Sequence, residues 1–219
     1  MSAMPDTSVE RAGRIDTATL SDALDKLGIA GQCLGIKPLD PQFRLVGRAF
    51  TLAYAPVGHP RGTVGDYIDD VATGDVIVID NGGRENATVW GDILTYCAHR
   101  RKLGGTVIDG ACRDTHLART LGYPVYSKSY SMRTGKDRVQ LEATQVIVTV
   151  GEARVCPGDI LRGDADGVVV IPRSQENEIL EVAEAIDAAE ARIRGALEQG
   201  LRLDTARIQQ NYHTLQRKT

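Results

Sequence analysis

Aromatic residues are scarce in this chain. One Trp, two Phe and seven Tyr make up 5% of 219 residues, so the core has to be built from Val, Ile, Leu and Ala. Long apolar runs are absent. Nothing approaches the roughly 18–20 residues a membrane span needs, and Met1 to Arg14 lacks the apolar segment of a secretory signal. An excess of one charge is absent too. Lys plus Arg is 26 and Asp plus Glu is 29, a net charge of −3, which disfavours general nucleic-acid binding. The four cysteines, Cys33, Cys97, Cys112 and Cys156, form no C-x-x-C pair and no zinc-ligand spacing. A reduced, cytoplasmic setting is the simplest expectation. No G-x-G-x-x-G or phosphate-loop signature occurs, which weakens nucleotide readings.

What is present is an α/β pattern. Hydrophobic residues are 42% and charged residues 25%, ordinary values for a folded chain. Glycines cluster between short β-branched runs, which predicts strands separated by tight turns. Asp16 is placed to cap a helix running to Leu27, with Leu20, Ala23, Leu24 and Leu27 on one face and Gly28 as the stop. Phe43 to Ala55 reads as a strand broken or bulged near Gly47. Asp75 to Asp80 reads as a strand covered on both sides. Asn81-Gly82-Gly83 then turns the chain into a helix expected over Ala87 to Arg101. Thr106 to Asp109 and Pro124 to Lys128 are further strands, with a short helix between them capped by Asp114 or Thr115.

Beyond them the pattern becomes antiparallel, with strands at Gln145 to Val150, Ala153 to Cys156 and Gly167 to Ile171. Ser174 is placed to cap a long helix whose stripe is Ile179, Val182, Ala183, Ile186, Ala189 and Ile193. A shorter helix can follow Gly200. The whole chain, 1–219, reads as one domain with a core of about 15–190 and a helical tail of about 174–219.

If the strands Asp75–Asp80 and Thr106–Asp109 are adjacent and parallel, the loops after them share one carboxyl edge, where α/β sheets bind ligands. Arg113 and Asp114 stand at that edge. Arg can hold a substrate carboxylate through two hydrogen bonds. A single carboxylate with waters suits Mg²⁺, and Asp92 could orient such a water. A local salt bridge and helix cap is the competing reading of the same pair. Gly82-Gly83-Arg84-Glu85 reads as an anion cradle or, more simply, a tight turn. His59, His99, His116 and His213 are scattered, and His116 is close enough in sequence to reach the Asp114 edge. Cys112 reads as a small buried hydrophobe. The charged loop Arg133 to Arg138 suits a lid, a subunit contact or a solvated turn. Lys128 and Lys136 are weak Schiff-base candidates, because that chemistry needs a dry site.

Five segments in order, GDVIVIDNGG (74–83), WGDIL (90–94), GGTVIDGACRD (104–114), LGYPVYSK (121–128) and PGDILRGDADGVVVIP (157–172), resemble the RraA-like family. That family includes 4-hydroxy-4-methyl-2-oxoglutarate and 4-carboxy-4-hydroxy-2-oxoadipate aldolases, and regulators that inhibit ribonuclease E. The resemblance implies a layered sandwich with a swivelling-type β/β/α core, flanked by N- and C-terminal helices. It implies a homo-oligomer, a trimer or a hexamer built as a dimer of trimers, with the active site at a subunit interface. By that likeness Asp114 binds Mg²⁺ or Mn²⁺. Arg113 holds the pyruvyl carboxylate or enolate, Asp92 contacts metal-bound water, and backbone N–H groups around Gly91, Ile93 and Leu94 hold the carboxylate. The implied activity is retro-aldol cleavage of a 4-hydroxy-2-oxo acid to pyruvate, with oxaloacetate decarboxylation beside it. The alternative is a non-catalytic regulator of ribonuclease E or a similar partner. One position departs from the pattern: Leu117 stands where the aldolase motif carries an acid. Aldolase members also draw a carboxylate from a neighbouring subunit, for which Glu184 and Glu190 are candidates.

Overall fold

A computed structural model describes residues 6–212; His213 lies outside the described residues. Two helices open the chain, α1 (Thr7–Arg14) and α2 (Thr17–Leu27). Each begins at an aspartate whose carboxylate accepts a first-turn N–H: Val9 N–H to Asp6 at 3.2 Å and Thr19 N–H to Asp16 at 2.7 Å. Gly28 closes α2 at φ +72°, as expected of a C-terminal glycine. Helix α1 has no counterpart in the sequence reading.

Ten strands follow. β1 (Lys37–Pro38), β2 (Leu45–Pro56), β3 (Val76–Thr88), β4 (Gly105–Cys112) and β5 (Val125–Tyr130) come first. β6 (Val139–Thr144), β7 (Val148–Val150), β8 (Ala153–Val155), β9 (Ile160–Gly163) and β10 (Val168–Ile171) complete them. Helices α3 (Asp92–Arg100) and α4 (Thr115–Leu121) join β3, β4 and β5. Helices α5 (Glu176–Glu198) and α6 (Leu203–Gln209) come last. The architecture is mixed α/β with flanking helices.

Strands β2, β3, β4 and β5 run parallel in that spatial order. β1 closes the β5 edge antiparallel. The long strand β2 serves several partners: its first half pairs with β9, and its second half pairs with both β3 and β6. β10 adds to β9, while β7 and β8 form a separate hairpin. Side chains alternate across β3, so Ile77 and Ile79 face one core while Val76 and Val78 face another. The first core lies under α3 and α4, with Trp90, Ala98, Ala118 and Tyr123. The second holds the β7–β8 hairpin through Val148, Val150 and Val155. A third sits between β9–β10 and the helices α1, α2 and α5. There Leu20, Leu24, Ile179, Leu180 and Ile186 are at most 1% exposed, each contributing about 1.5–3 kcal/mol of burial.

Several expectations need correction. β2 passes Gly47 without a break, and its irregularity falls between Ala53 and Tyr54 where β6 pairs. Gly47 answers a close approach instead: a Cβ there would lie 2.2 Å from the Gly74 carbonyl oxygen. The helix expected from Ala87 starts only at Asp92, because residues 84–88 pair with β4. β6, half of whose side chains are polar, and β9 have no counterpart in the sequence reading. Ser174 does not cap α5; a 3-10 turn over Arg173–Gln175 precedes it. Leu180 joins its buried stripe, whereas Val182 is only partly buried. A helix after Gly200 is present as α6.

Candidate active site

The site depends on what β3 does after Asp80. Asn81-Gly82-Gly83 does not end the strand as expected: Gly82 and Gly83 take φ +59° and +68° within β3, which runs on to Thr88. Asp80 is opposite Asp109, Arg84 opposite Gly110 and Thr88 opposite Ala111, so β3 bulges outward twice against β4. Gly82 N–H and the Arg84 guanidinium satisfy Asp80 and the Asn81 carbonyl, at 2.8 and 2.6 Å. The segment expected as an anion cradle or a tight turn is thus a bulge within the strand, with the Gly82 N–H already taken by Asp80. The pairing then continues past β3: Val89 N–H donates to Ala111 at 3.2 Å, and Arg113 N–H to Trp90 at 2.9 Å. This backbone zip carries Gly91 and Asp92 to Arg113 and Asp114.

Asp114 occupies the N-cap position of α4 at φ +56°, a left-handed conformation that costs energy for a non-glycine residue. Its side chain does not cap that helix. It accepts the Asp92 N–H at 3.2 Å, at the start of α3, and lies 3.4 Å from Arg113 Nε. The Arg113–Asp114 pair is therefore real, while the expected cap is spent on the neighbouring helix. Both side chains are 40% exposed, so the ion pair itself contributes little stability. Gly91 leaves no room beside them: a Cβ would sit 2.9 Å from Asp114 Oδ2 and 3.2 Å from Arg113 Nε.

The Gly91 carbonyl is pinned by the Thr95 N–H and hydroxyl, at 3.0 and 2.9 Å. Thr95 in turn accepts the Trp90 indole N–H at 2.9 Å, and Trp90 stacks on Tyr123 at 6.2 Å. Asp92 accepts the N–H of Ile93 at 2.8 Å through Oδ1. Ile93 is 75% exposed, and Leu94 packs against the first core.

Gly91, Asp92, Ile93, Leu94 and Arg113 line one cleft of about 510 Å³. Its other wall joins a segment with no expected role to part of the charged loop that suited a lid, a subunit contact or a solvated turn. It is formed by residues 62–66, among them Asp66, and by 134–137, among them Lys136. The second segment is stapled to the end of β3, where the Thr88 N–H and hydroxyl donate to the Arg133 carbonyl at 3.2 and 2.9 Å. The glycine-flanked Gly62-Thr63-Val64-Gly65 was the only signal for the first segment, and it marks a tight loop without saying where the loop goes.

Asp114, the expected metal ligand, stands beside Arg113 but outside the cleft lining, as do the remaining candidates. His116 is exposed on α4, 3.5 Å from the Thr120 hydroxyl. Cys112 is fully buried, and burial pushes its thiol pKa up. Lys128 faces Asp109 at 3.9 Å. Glu184 pairs with Arg11 at 2.7 Å, which holds its carboxyl below the usual range, and Glu190 pairs with Arg194 at 3.3 Å. No helix among the described residues is long and apolar enough to cross a membrane.

Residues 17–170 match the family described as RraA-like: Aldolase/RraA. The chain is 40% identical over 196 residues to "Protein DlpA" of Legionella pneumophila, covering 88% of this chain and 32% of that protein. It thus spans about a third of the length of that relative. It is 34% identical over 169 residues to a Halalkalibacterium halodurans protein named "Putative 4-hydroxy-4-methyl-2-oxoglutarate aldolase", covering 77% of this chain and 78% of the other. Among solved structures, an uncharacterized protein of Pseudomonas syringae superposes with a TM-score of 0.86 at 40% identity, covering 94% of this chain and 100% of that one. Streptomyces coelicolor RraAS2, described as an unusual member of the RNase ES inhibitor RraA protein family, gives 0.77 at 28%, covering 90% and 98%. The chain belongs to the RraA-like family.

Proposed function

We propose that the chain is a divalent-metal-dependent lyase that cleaves a 4-hydroxy-2-oxo acid to pyruvate and a second carbonyl compound, with oxaloacetate decarboxylation as a companion activity. The observation that carries this reading is the meeting of Arg113 and Asp114 with the start of α3 at Gly91, where any Cβ would have to push both side chains aside. The name of the Halalkalibacterium relative supports the substrate class.

The donors suit a hard cation. Asp114 and Asp92 offer only oxygen, and the described residues hold no cluster of three or more His, Cys, Asp or Glu of the kind that forms a closed site. A site of one carboxylate completed by waters is the habit of Mg²⁺, and Mn²⁺ accepts the same ligands. Asp114 would hold the metal, which supplies Lewis-acid polarisation of the 2-oxo acid. Arg113 places fixed positive charge where the enolate of pyruvate develops. The first N–H groups of α3 receive the substrate carboxylate. One of them, on Ile93, is held by Asp92. A carboxylate arriving there displaces Asp92 and frees it to orient water for proton transfer.

The same reading places the protein in the cytoplasm as a trimer or hexamer with a swivelling-type β/β/α core and a site bordering a neighbouring subunit. The exposure of Ile93 at the cleft rim supports that border. Pyruvate release from oxaloacetate and from 4-hydroxy-4-methyl-2-oxoglutarate, with Mg²⁺ or EDTA, tests the proposal. Asp114→Asn keeps a residue that tolerates φ +56° and is expected to abolish metal-dependent turnover. Turnover equal to wild type, with trace metal excluded, refutes the assignment. A second reading, a non-catalytic regulator of a ribonuclease E-like protein, rests on the description of the Streptomyces relative. Capture of such a partner by a protein inactive on both substrates would favour it.

A further inference from the structure

Retro-aldol cleavage needs a base for the 4-hydroxyl, and the acid that the aldolase motif carries is replaced here by Leu117. The cleft contains a carboxylate that the Arg113–Asp114 motif does not include. Three aspartates line it: Asp66, Asp92 and Asp137. Asp92 accepts the Ile93 N–H, and Asp137 pairs with Arg61 at 3.7 Å. Asp66 alone of the three has neither a hydrogen bond nor an ion pair among the described residues.

Its backbone is nonetheless held. Val64 just before it accepts the Tyr54 hydroxyl at 2.6 Å, and Thr63 accepts the Leu141 N–H at 2.8 Å. Gly65 makes the bend at φ +80°, where a Cβ would strike Leu141 Cδ2 at 2.3 Å. Tyr67, the next residue, is 3% exposed in the first core. The Asp66 side chain is exposed at the cleft on a segment fixed on both sides, so its carboxylate is open to a molecule bound there.

We infer that Asp66 is the general base for C3–C4 cleavage, an inference that rests on the lyase reading above. With the pyruvyl end held at Arg113 and the start of α3, the C4 end of the substrate extends into the cleft that Asp66 also lines. Its carboxylate takes the O4 proton. The O–H bonding pair becomes the second C4–O bond as C3–C4 breaks, and the C3–C4 pair passes into the enolate of pyruvate. Water oriented by Asp92 protonates C3, as it does after decarboxylation, and protonated Asp66 gives its proton to solvent. Pyruvate and a free carbonyl compound leave, and the carboxylate is restored.

Oxaloacetate separates this role from the rest of the site. Its decarboxylation forms the same enolate, but bond breaking removes no hydroxyl proton. In Asp66→Asn, kcat for cleavage of 4-hydroxy-4-methyl-2-oxoglutarate with Mg²⁺ should fall about 100-fold or more. Decarboxylation of oxaloacetate should stay within about threefold, as should calorimetric binding of oxalate, an enolate mimic that asks nothing of a base. Asp66→Glu should recover part of the cleavage rate. Equal losses in both reactions, or unchanged cleavage, overturn the inference while leaving the lyase reading standing. A wild type that decarboxylates oxaloacetate but cleaves nothing overturns it as well. A wild type inactive on both compounds refutes the lyase reading and this inference with it.

Discussion

Gly91→Ala isolates the geometry of the site from the stability of the fold. Gly91 has φ −151°, extended backbone open to any residue, so alanine brings no backbone strain. What it brings is a methyl group 2.9 Å from Asp114 Oδ2 and 3.2 Å from Arg113 Nε. Ordinary contact requires roughly 0.5 Å more. The Gly91 carbonyl is pinned through Thr95, so the movement falls on the half-exposed carboxylate and guanidinium. A full ångström of misplacement costs about 100-fold in rate, so half of that is expected to cost about tenfold in kcat/KM. Replacing a glycine N-cap by alanine removes about 1 kcal/mol at most, a fall in Tm of about 2–4 °C in a chain of this size. Pyruvate release followed spectrophotometrically, alongside a calorimetric Mg²⁺ titration, reads both effects. Rates within twofold of wild type with unchanged metal affinity would show that Arg113 and Asp114 are not the working pair. A Tm loss above about 10 °C would show that Gly91 serves the fold instead.

Two further outcomes follow from charge and burial. Arg48 donates to Asp6 and Glu176, tying the start of α1 to the start of α5, and it holds both carboxyls below their ordinary values of 3.8 and 4.5. Depressed carboxyls stabilise above their unfolded values and lose that contribution as pH falls through the folded ones. Urea unfolding of wild type should therefore weaken as pH drops below about 4.5, and Arg48→Met should be less stable at pH 7 with a flatter acid limb; an unchanged limb refutes the tie. Burial pushes the Cys33 thiol up to about 12 and that of Cys112 upward as well. Thiol titration at pH 8 should spare both until denaturant is added, and four fast-reacting thiols in the native protein would contradict the packing.

The parts of the fold legible in the sequence are those where side chains alone decide the structure. Asp16 and Gly28 bracket α2 because capping is local chemistry. DVIVID is apolar on both faces because both faces of β3 are covered. Arg113 and Asp114 were legible because their position after an apolar strand puts them at the carboxyl edge of the parallel strands whatever their neighbours do. The stretch that assembles the site was not legible for the opposite reason. Residues 84–88, Arg-Glu-Asn-Ala-Thr, have neither β-branched density nor alternation, and by propensity they read as the approach to a helix. They are extended because β4 offers backbone partners at Gly110 and Ala111, and only the folded sheet reveals that. The distant wall raises the same difficulty at longer range. Nothing local to Gly65-Asp66 tells that Leu141 and Tyr54, from two other strands, will set that loop against Arg113. Motif residues can thus be found from sequence, whereas groups that meet them from other parts of the chain come into view only with the tertiary pairing. That is why Asp66, a carboxylate that lines the same cleft as Arg113, belongs to no motif.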